Sequence, residues 1–165
     1  MKFKEAKEEF IQAWGALGTN WGINKAMAQI HALLLATENP LTTDEIMDSL
    51  QISRSNANLN LRALLDWGLV YKKHLAGDRK EYFVADKDMW AVSVKIIRER
   101  RRREVEPVVR EIKSLAKFEA TTFEEKNFKH LLEEMGELSE RMLKIGDLLE
   151  KADKMKFFKW IIKGF

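Results

Sequence analysis

Two helix start signals stand eleven residues apart in the middle of this 165-residue chain, and a stop signal closes the second. Thr42-Thr43-Asp44-Glu45 has the capping-box pattern, with Thr42 as N-cap and Glu45 at the third helical position, ahead of the apolar residues Ile46, Met47 and Leu50. Gln51-Ile52 is the turn, and Ser53 is a natural N-cap for a helix that runs to Trp67. Gly68 ends it, because glycine takes the left-handed C′ conformation at least cost. Leu69–Lys73 and Glu81–Ala85 then read as two strands joined through a Gly77-Asp78 turn. A short helix, a tight turn, a capped helix and a hairpin in that order leave few architectures open.

The flanks are helical. From Lys2 to Leu17, Phe3, Ala6, Phe10, Ala13, Trp14 and Leu17 recur at three- and four-residue steps, which predicts an amphipathic helix packed through those residues. Gly15, Gly18 and Gly22 are expected to loosen the chain around Trp21, before a second helix from about Asn24 to Thr37 that Asn39-Pro40 stops. Beyond the hairpin, Asp86 or Asp88 caps a long helix carrying Met89, Val92, Ile96, Val105, Val109 and Ile112, with a kink expected at Pro107. The chain breaks near Thr121-Thr122. Phe128, Met135, Met142 and Leu149 then occupy one heptad position, and Leu131, Leu138 and Ile145 the other. That seam closes either against a second chain or against the 91–118 helix. Met155–Phe165 reads as a short amphipathic helix. The expected fold is mainly α with a small β-hairpin wing: residues 1–90 form a winged helix-turn-helix domain, and 91–165 a long-helix dimerisation region.

The net charge of +3 names no partner, but its distribution does. Between Ile52 and Lys80, Arg54, Arg62, Lys72, Lys73, Arg79 and Lys80 face only Asp66 and Asp78, six bases against two acids. On a helical wheel Ala57, Leu61, Leu64 and Leu65 cluster on one side of the second helix. Ser55, Leu59 and Arg62 lie opposite, flanked by Asn56, Asn58 and Asn60. Such a face suits the major groove of double-stranded DNA. Asparagine pairs adenine bidentately, arginine meets guanine or phosphate, serines admit close approach and Leu59 meets a thymine methyl. Ser53 and Arg54 open that helix, and Lys72, Lys73, Arg79 and Lys80 surround a hairpin tip that reaches phosphates. The plainer account is a solvated helix and a charged hairpin. The arginines at 98 and 100–103 read as a salt-bridged helix surface, with phosphate contact as the alternative.

The stretch from Gly18 to Trp90 resembles the winged helix-turn-helix of the MarR superfamily, in particular its glycine-betaine-synthesis-regulator (GbsR-like) branch. WGINKAMAQIHALL, ISRSNANLNLRALLDWGLV and GDRKEYF carry the resemblance. It implies a dimeric, sequence-specific transcriptional regulator whose helix from Ser53 to Trp67 enters the major groove. It places Gly77, Asp78 and Arg79 at the wing tip and dimerisation in the terminal helices. The competing class is a winged-helix module that binds another protein through its heptads without contacting DNA.

Four tryptophans, at 14, 21, 67 and 90, fall at helix ends or in the loop joining helices. Aromatic faces attract quaternary ammonium groups. The GbsR-like resemblance suggests choline or a related small-molecule effector, with Trp21 and Trp90 as the pair that holds it; core packing is the plainer role for such rings. No catalysis is expected, since His31, His74 and His130 lack metal-ligand spacing and neither a phosphate loop nor a nucleophile elbow occurs. No cofactor is expected either. With no cysteine, disulfides and thiol chemistry are excluded. The charged start and the absence of eighteen consecutive apolar residues predict a cytoplasmic protein with no membrane partner.

Overall fold

A computed structural model describes residues 1–20 and 22–154, with side chains as far as Leu148. The chain divides into two compact units, one up to Val92 and one from Ser93 on. The first contains α1 (Phe3–Asn20), α2 (Lys25–Leu35), β1 (Leu41–Thr42), α3 (Thr43–Leu50), α4 (Arg54–Asp66), β2 (Val70–Lys73) and β3 (Tyr82–Ala85). The second contains most of α5 (Met89–Arg100), then a π turn (Arg101–Val105), α6 (Glu106–Leu115) and α7 (Phe123–Lys154). The fold is mainly helical with a small antiparallel sheet.

The local signals act where the sequence puts them. Thr42 Oγ1 accepts from Glu45 N at 3.3 Å while Glu45 Oε2 accepts from Thr42 N at 2.7 Å, a reciprocal cap on α3. Gln51 ends α3 in the left-handed region at φ 53°, and Ser53 Oγ accepts from Asn56 N at 3.3 Å to start α4. Gly68 follows α4 at φ 67°. The hairpin is one residue shorter at the start of each strand than the sequence reading, and β1 adds a third strand, pairing Leu41 with Phe83 and Thr42 with Tyr82. The sheet order is β1-β3-β2. A two-residue strand beside a proline carries too little pattern to be read in advance.

Helix α2 is the hub of this unit, with Ile30, Leu33 and Leu34 buried alongside Ile46, Leu61, Leu64, Val70 and Phe83. Helix α1 meets it differently from the sequence expectation. Gly15 and Gly18 do not loosen the chain; they lie buried inside α1, and a Cβ on Gly18 would stand 2.6 Å from Ala28 Cβ. The glycine face with Ile11 lets the two backbones approach. The apolar stripe expected to pack, Phe3, Phe10 and Leu17, is exposed instead. Only Gly22 makes the turn before α2, at φ 75°. Trp14 sits between Phe10, at 5.6 Å, and His31, at 6.2 Å between ring centroids.

Burial holds the His31 imidazole neutral, lowering its pKa from 6.5 to about 4 against a small opposing pull from Asp86. The unfolded chain takes up a proton near pH 6.5 that the folded chain refuses until about pH 4, so stability falls through that window as the pH drops and is unaffected above it. The loss by pH 4.5 is roughly 3 kcal/mol. Urea midpoints of the wild type and His31→Gln at pH 7 and 4.5 check this. The variant should lose distinctly less stability than the wild type, and parallel losses would contradict it.

In the second unit, the long helix does not simply kink. Asp88 caps α5, accepting from Ala91 N at 3.1 Å, and the helix widens into the π turn just before Pro107, which enters α6 in its first turn where a missing donor is harmless. Thr121-Thr122 does break the chain, and with Glu125 it forms a second capping box missed in the sequence reading. Glu125 Oε2 accepts from the backbone N–H of Thr121 at 2.6 Å and of Thr122 at 2.9 Å, and these bonds hold its pKa at about 2. Helix α6 lies along α7 at Leu132 and Gly136, and the π turn lies along it at Leu143 and Gly146. Arg101 reaches over Gly146 to Asp147 at 2.8 Å and to the Leu143 carbonyl at 3.1 Å, in space that a Cβ at 146 would occupy.

The heptad residues Phe128, Leu131, Met135, Leu138, Met142 and Ile145 form the adjoining stripe, 43% to 63% exposed. Within one chain the 91–118 segment covers only the margin of this stripe: Phe118 meets Phe128 at 6.1 Å between ring centroids, and Ile97 and Val105 border a groove with Met142 and Ile145. Leu149, the next heptad member, has its side chain outside the described residues, and the expected Met155–Phe165 helix also lies outside them.

Candidate nucleic-acid interface

Helix α4 is anchored by Ala57, Leu61 and Leu64, all buried against the hub. That fixes which residues face outward: Ser55, Asn58, Leu59 and Arg62 are exposed, Leu59 at 68%. An exposed leucine among polar residues loses nothing by meeting an apolar surface. Asn56 is half-buried, and Asn60, placed on the flank by the wheel, is in the core at 3% exposure. Ser53 spends its hydroxyl on the helix cap.

The basic residues divide by their partners. Arg54 is ion-paired with Asp44 of α3, across the turn. Lys72 pairs with Glu81 on the neighbouring strand at 2.6 Å. For Arg62, Lys73 and Arg79, all exposed, no acid partner occurs among the described residues, while the exposed Lys80 lies within electrostatic reach of Glu45 and Asp78. The hairpin tip that carries Arg79 and Lys80 is shaped locally. Gly77 stands at φ 82°, Asp78 N donates to the Leu75 carbonyl, and Asp78 accepts from Lys80 N at 2.9 Å and from Tyr82 Oη at 2.7 Å. These bonds depress the Asp78 pKa and keep its charge turned into the turn. The surface left over is a serine-, asparagine- and arginine-bearing helix face and a basic hairpin, on which Asp44, Asp78 and Glu81 are engaged by neighbouring groups.

Near the unit's other aromatic residues, Trp67 is core, at 8% exposure, and Trp14 is half-buried in the α1 and α2 contact. Trp90, in the first turn of α5, is half-buried with its indole Nε1 shielded and without a hydrogen-bond partner. Trp21, its expected companion, lies outside the described residues. Four of the five arginines are salt-bridged: Arg100 pairs with Glu104 at 2.8 Å, Arg101 with Asp147, and Arg102 and Arg103 both reach the buried Glu99, while Arg98 is exposed. Among the described residues there is no metal-ligand cluster, and no helix is long and apolar enough to cross a membrane.

The fold and this surface are those of a winged helix-turn-helix: α3, turn and α4, followed by the hairpin wing. Residues 17–88 match the family described as sugar-specific transcriptional regulator TrmB. No curated protein matches the chain. A crystal structure described as a transcriptional regulator is similar at a TM-score of 0.67 and 19% identity, over 91% of this chain and 99% of that one, which shows a shared fold. A mutant of S. aureus MepR bound to an oligodeoxyribonucleotide gives a TM-score of 0.42 at 18% identity, over 81% of this chain and 91% of that one. A Thermotoga maritima transcriptional regulator gives 0.39 at 19% identity, over 81% and 89%.

Proposed function

We propose that the chain is a homodimeric, sequence-specific DNA-binding transcriptional regulator of the MarR-like winged-helix type, without catalytic activity. The observation that carries this is the outward face of α4, Ser55, Asn58, Leu59 and Arg62, standing beside a wing whose Lys73, Arg79 and Lys80 are exposed, the first two with no acid partner among the described residues. In this reading α4 enters the major groove and the wing cations lie on phosphates. Arg54 and Lys72 contribute less, because each must first leave Asp44 or Glu81. The match of residues 17–88 to a transcriptional-regulator family supports it.

A second copy is the occupant proposed for the apolar seam of α7, and the exposed Phe3, Phe10 and Leu17 stripe of α1 supports dimerisation through both terminal helices. Residues 1–90 are then the DNA-binding part and 91–165 the dimerisation part. Selection from random DNA duplexes tests the reading. The enriched sequences should contain two inverted half-sites about one helical turn, roughly 34 Å, apart. Absence of any enriched sequence would remove it.

The finer assignment to a GbsR-like regulator answering to choline rests on the resemblance and on Trp90, whose half-buried ring is paired in this reading with Trp21. Titration with choline, glycine betaine and, given the description of the matched family, simple sugars is followed by tryptophan fluorescence and release of the selected duplex. Choline should quench and release DNA at millimolar concentration. Release by a sugar alone would replace choline, and no response to any of them would remove the effector.

A further inference from the structure

Asn56 and Asn60 stand one helical turn apart on α4, and their amides are tied together. Asn60, 3% exposed, places Nδ2 2.8 Å from the Asn56 backbone carbonyl and 2.6 Å from the Asn56 side-chain Oδ1. The chemistry fixes both amides. A backbone carbonyl only accepts, so the atom of Asn60 beside it is the NH2 group. That group is also the neighbour of the Asn56 side chain, so the Asn56 atom it meets is the carbonyl oxygen. A buried amide left without partners costs about 1–3 kcal/mol, so Asn60 has reason to keep this arrangement.

We infer that Asn60 is a positioning residue that turns the Asn56 oxygen inward and leaves its NH2 group as the face offered to DNA, so that Asn56 selects guanine or thymine rather than adenine. Bidentate pairing with adenine needs the amide oxygen to accept from N6 while the nitrogen donates to N7. With the oxygen engaged at Asn60, the NH2 group faces outward; it can donate to N7 of either purine, but beside adenine N7 it meets the N6 amino group donor to donor, which costs adenine the second contact. Guanine offers two adjacent acceptors, N7 and O6, and thymine offers O4. The inference rests on the proposed placement of α4 in the major groove and adds which base one of its side chains reads.

The test uses the full-length chain. Asn56→Ala, a change at a half-buried helix position, first locates the base whose preference it relaxes in selected duplexes. In the wild type that base should be guanine or thymine, favoured over adenine by about tenfold, the value of one good base contact. Asn60→Leu, which fills the buried site with an apolar side chain, should free the Asn56 oxygen and shift the preference at that one position toward adenine while affinity for random duplex stays unchanged. Adenine in the wild type, or no position relaxed by Asn56→Ala, would overturn the inference, and neither result depends on the Asn60 variant folding. A folded Asn60→Leu with unaltered preference would overturn it as well. If the wild type enriches no sequence at all, the proposed function fails before this step, so the two failures are distinguishable.

Discussion

Glutamates at Leu138 and Met142 together should convert the proposed dimer into a folded monomer. Both side chains are more than 60% exposed within one chain, so the substitutions remove little from the packing of α6 and the π turn on α7, which rests on Leu132, Leu143 and the two glycines. In a heptad seam the same positions are knobs, and the dimer would bury four carboxylates without partners. Each costs several kcal/mol, so the dissociation constant should rise by roughly a thousandfold or more. Light scattering should report half the wild-type mass, with helix content retained by circular dichroism. The same charge at the neighbouring, exposed Lys144 should leave the mass unchanged. A dimer of unaltered stability in the double variant would reject the seam.

Removing Arg62, Lys73 and Arg79 together should reduce DNA affinity by roughly 3–6 kcal/mol at low salt without unfolding the chain, since all three are exposed and none has an acid partner among the described residues. The single variants separate their roles. Arg62→Ala should cost about 1–3 kcal/mol and relax sequence preference, because Arg62 lies on the α4 face that enters the groove. Arg79→Ala should weaken selected and random duplexes alike. Arg54→Ala should cost less than Arg62→Ala, because the wild-type guanidinium already spends a partner on Asp44. Competition titrations against a labelled duplex measure all four. Equal effects of Arg54→Ala and Arg62→Ala would contradict the division of the surface into engaged and available cations.

What the sequence revealed and what it concealed differ by range. Thr42 with Glu45, Ser53 and Gly68 act through hydrogen bonds within a few residues, so their roles are legible from spacing. Thr122 with Glu125 carried the same signal and was readable by the same rule. Periodicity told less. It marked Phe3, Phe10 and Leu17 as a face to be covered, but not by what, and the contact with α2 is made by Gly15 and Gly18 because small residues permit close approach. Likewise the α7 heptads are legible, while the choice of neighbour depends on Gly136 and Gly146, which admit α6 and Arg101 along the adjoining stripe. On α4 the wheel placed Ser55, Leu59 and Arg62 outward but misplaced Asn60, because a buried asparagine looks like an exposed one until its partner one turn back is seen. The ion pairs of Arg54 and Lys72 join separate elements and needed the fold to be visible.

The central claim, that this surface holds DNA through its exposed cations, is tested most directly by the salt dependence of duplex binding. Each phosphate neutralised releases condensed counterions and adds about −0.9 to the slope of log affinity against log salt. Lys73, Arg79 and Lys80 from two subunits therefore predict a slope of roughly −5 or steeper, flattened by about one unit per subunit in Arg79→Ala. A slope near zero, or binding indifferent to Arg79→Ala, would contradict the account.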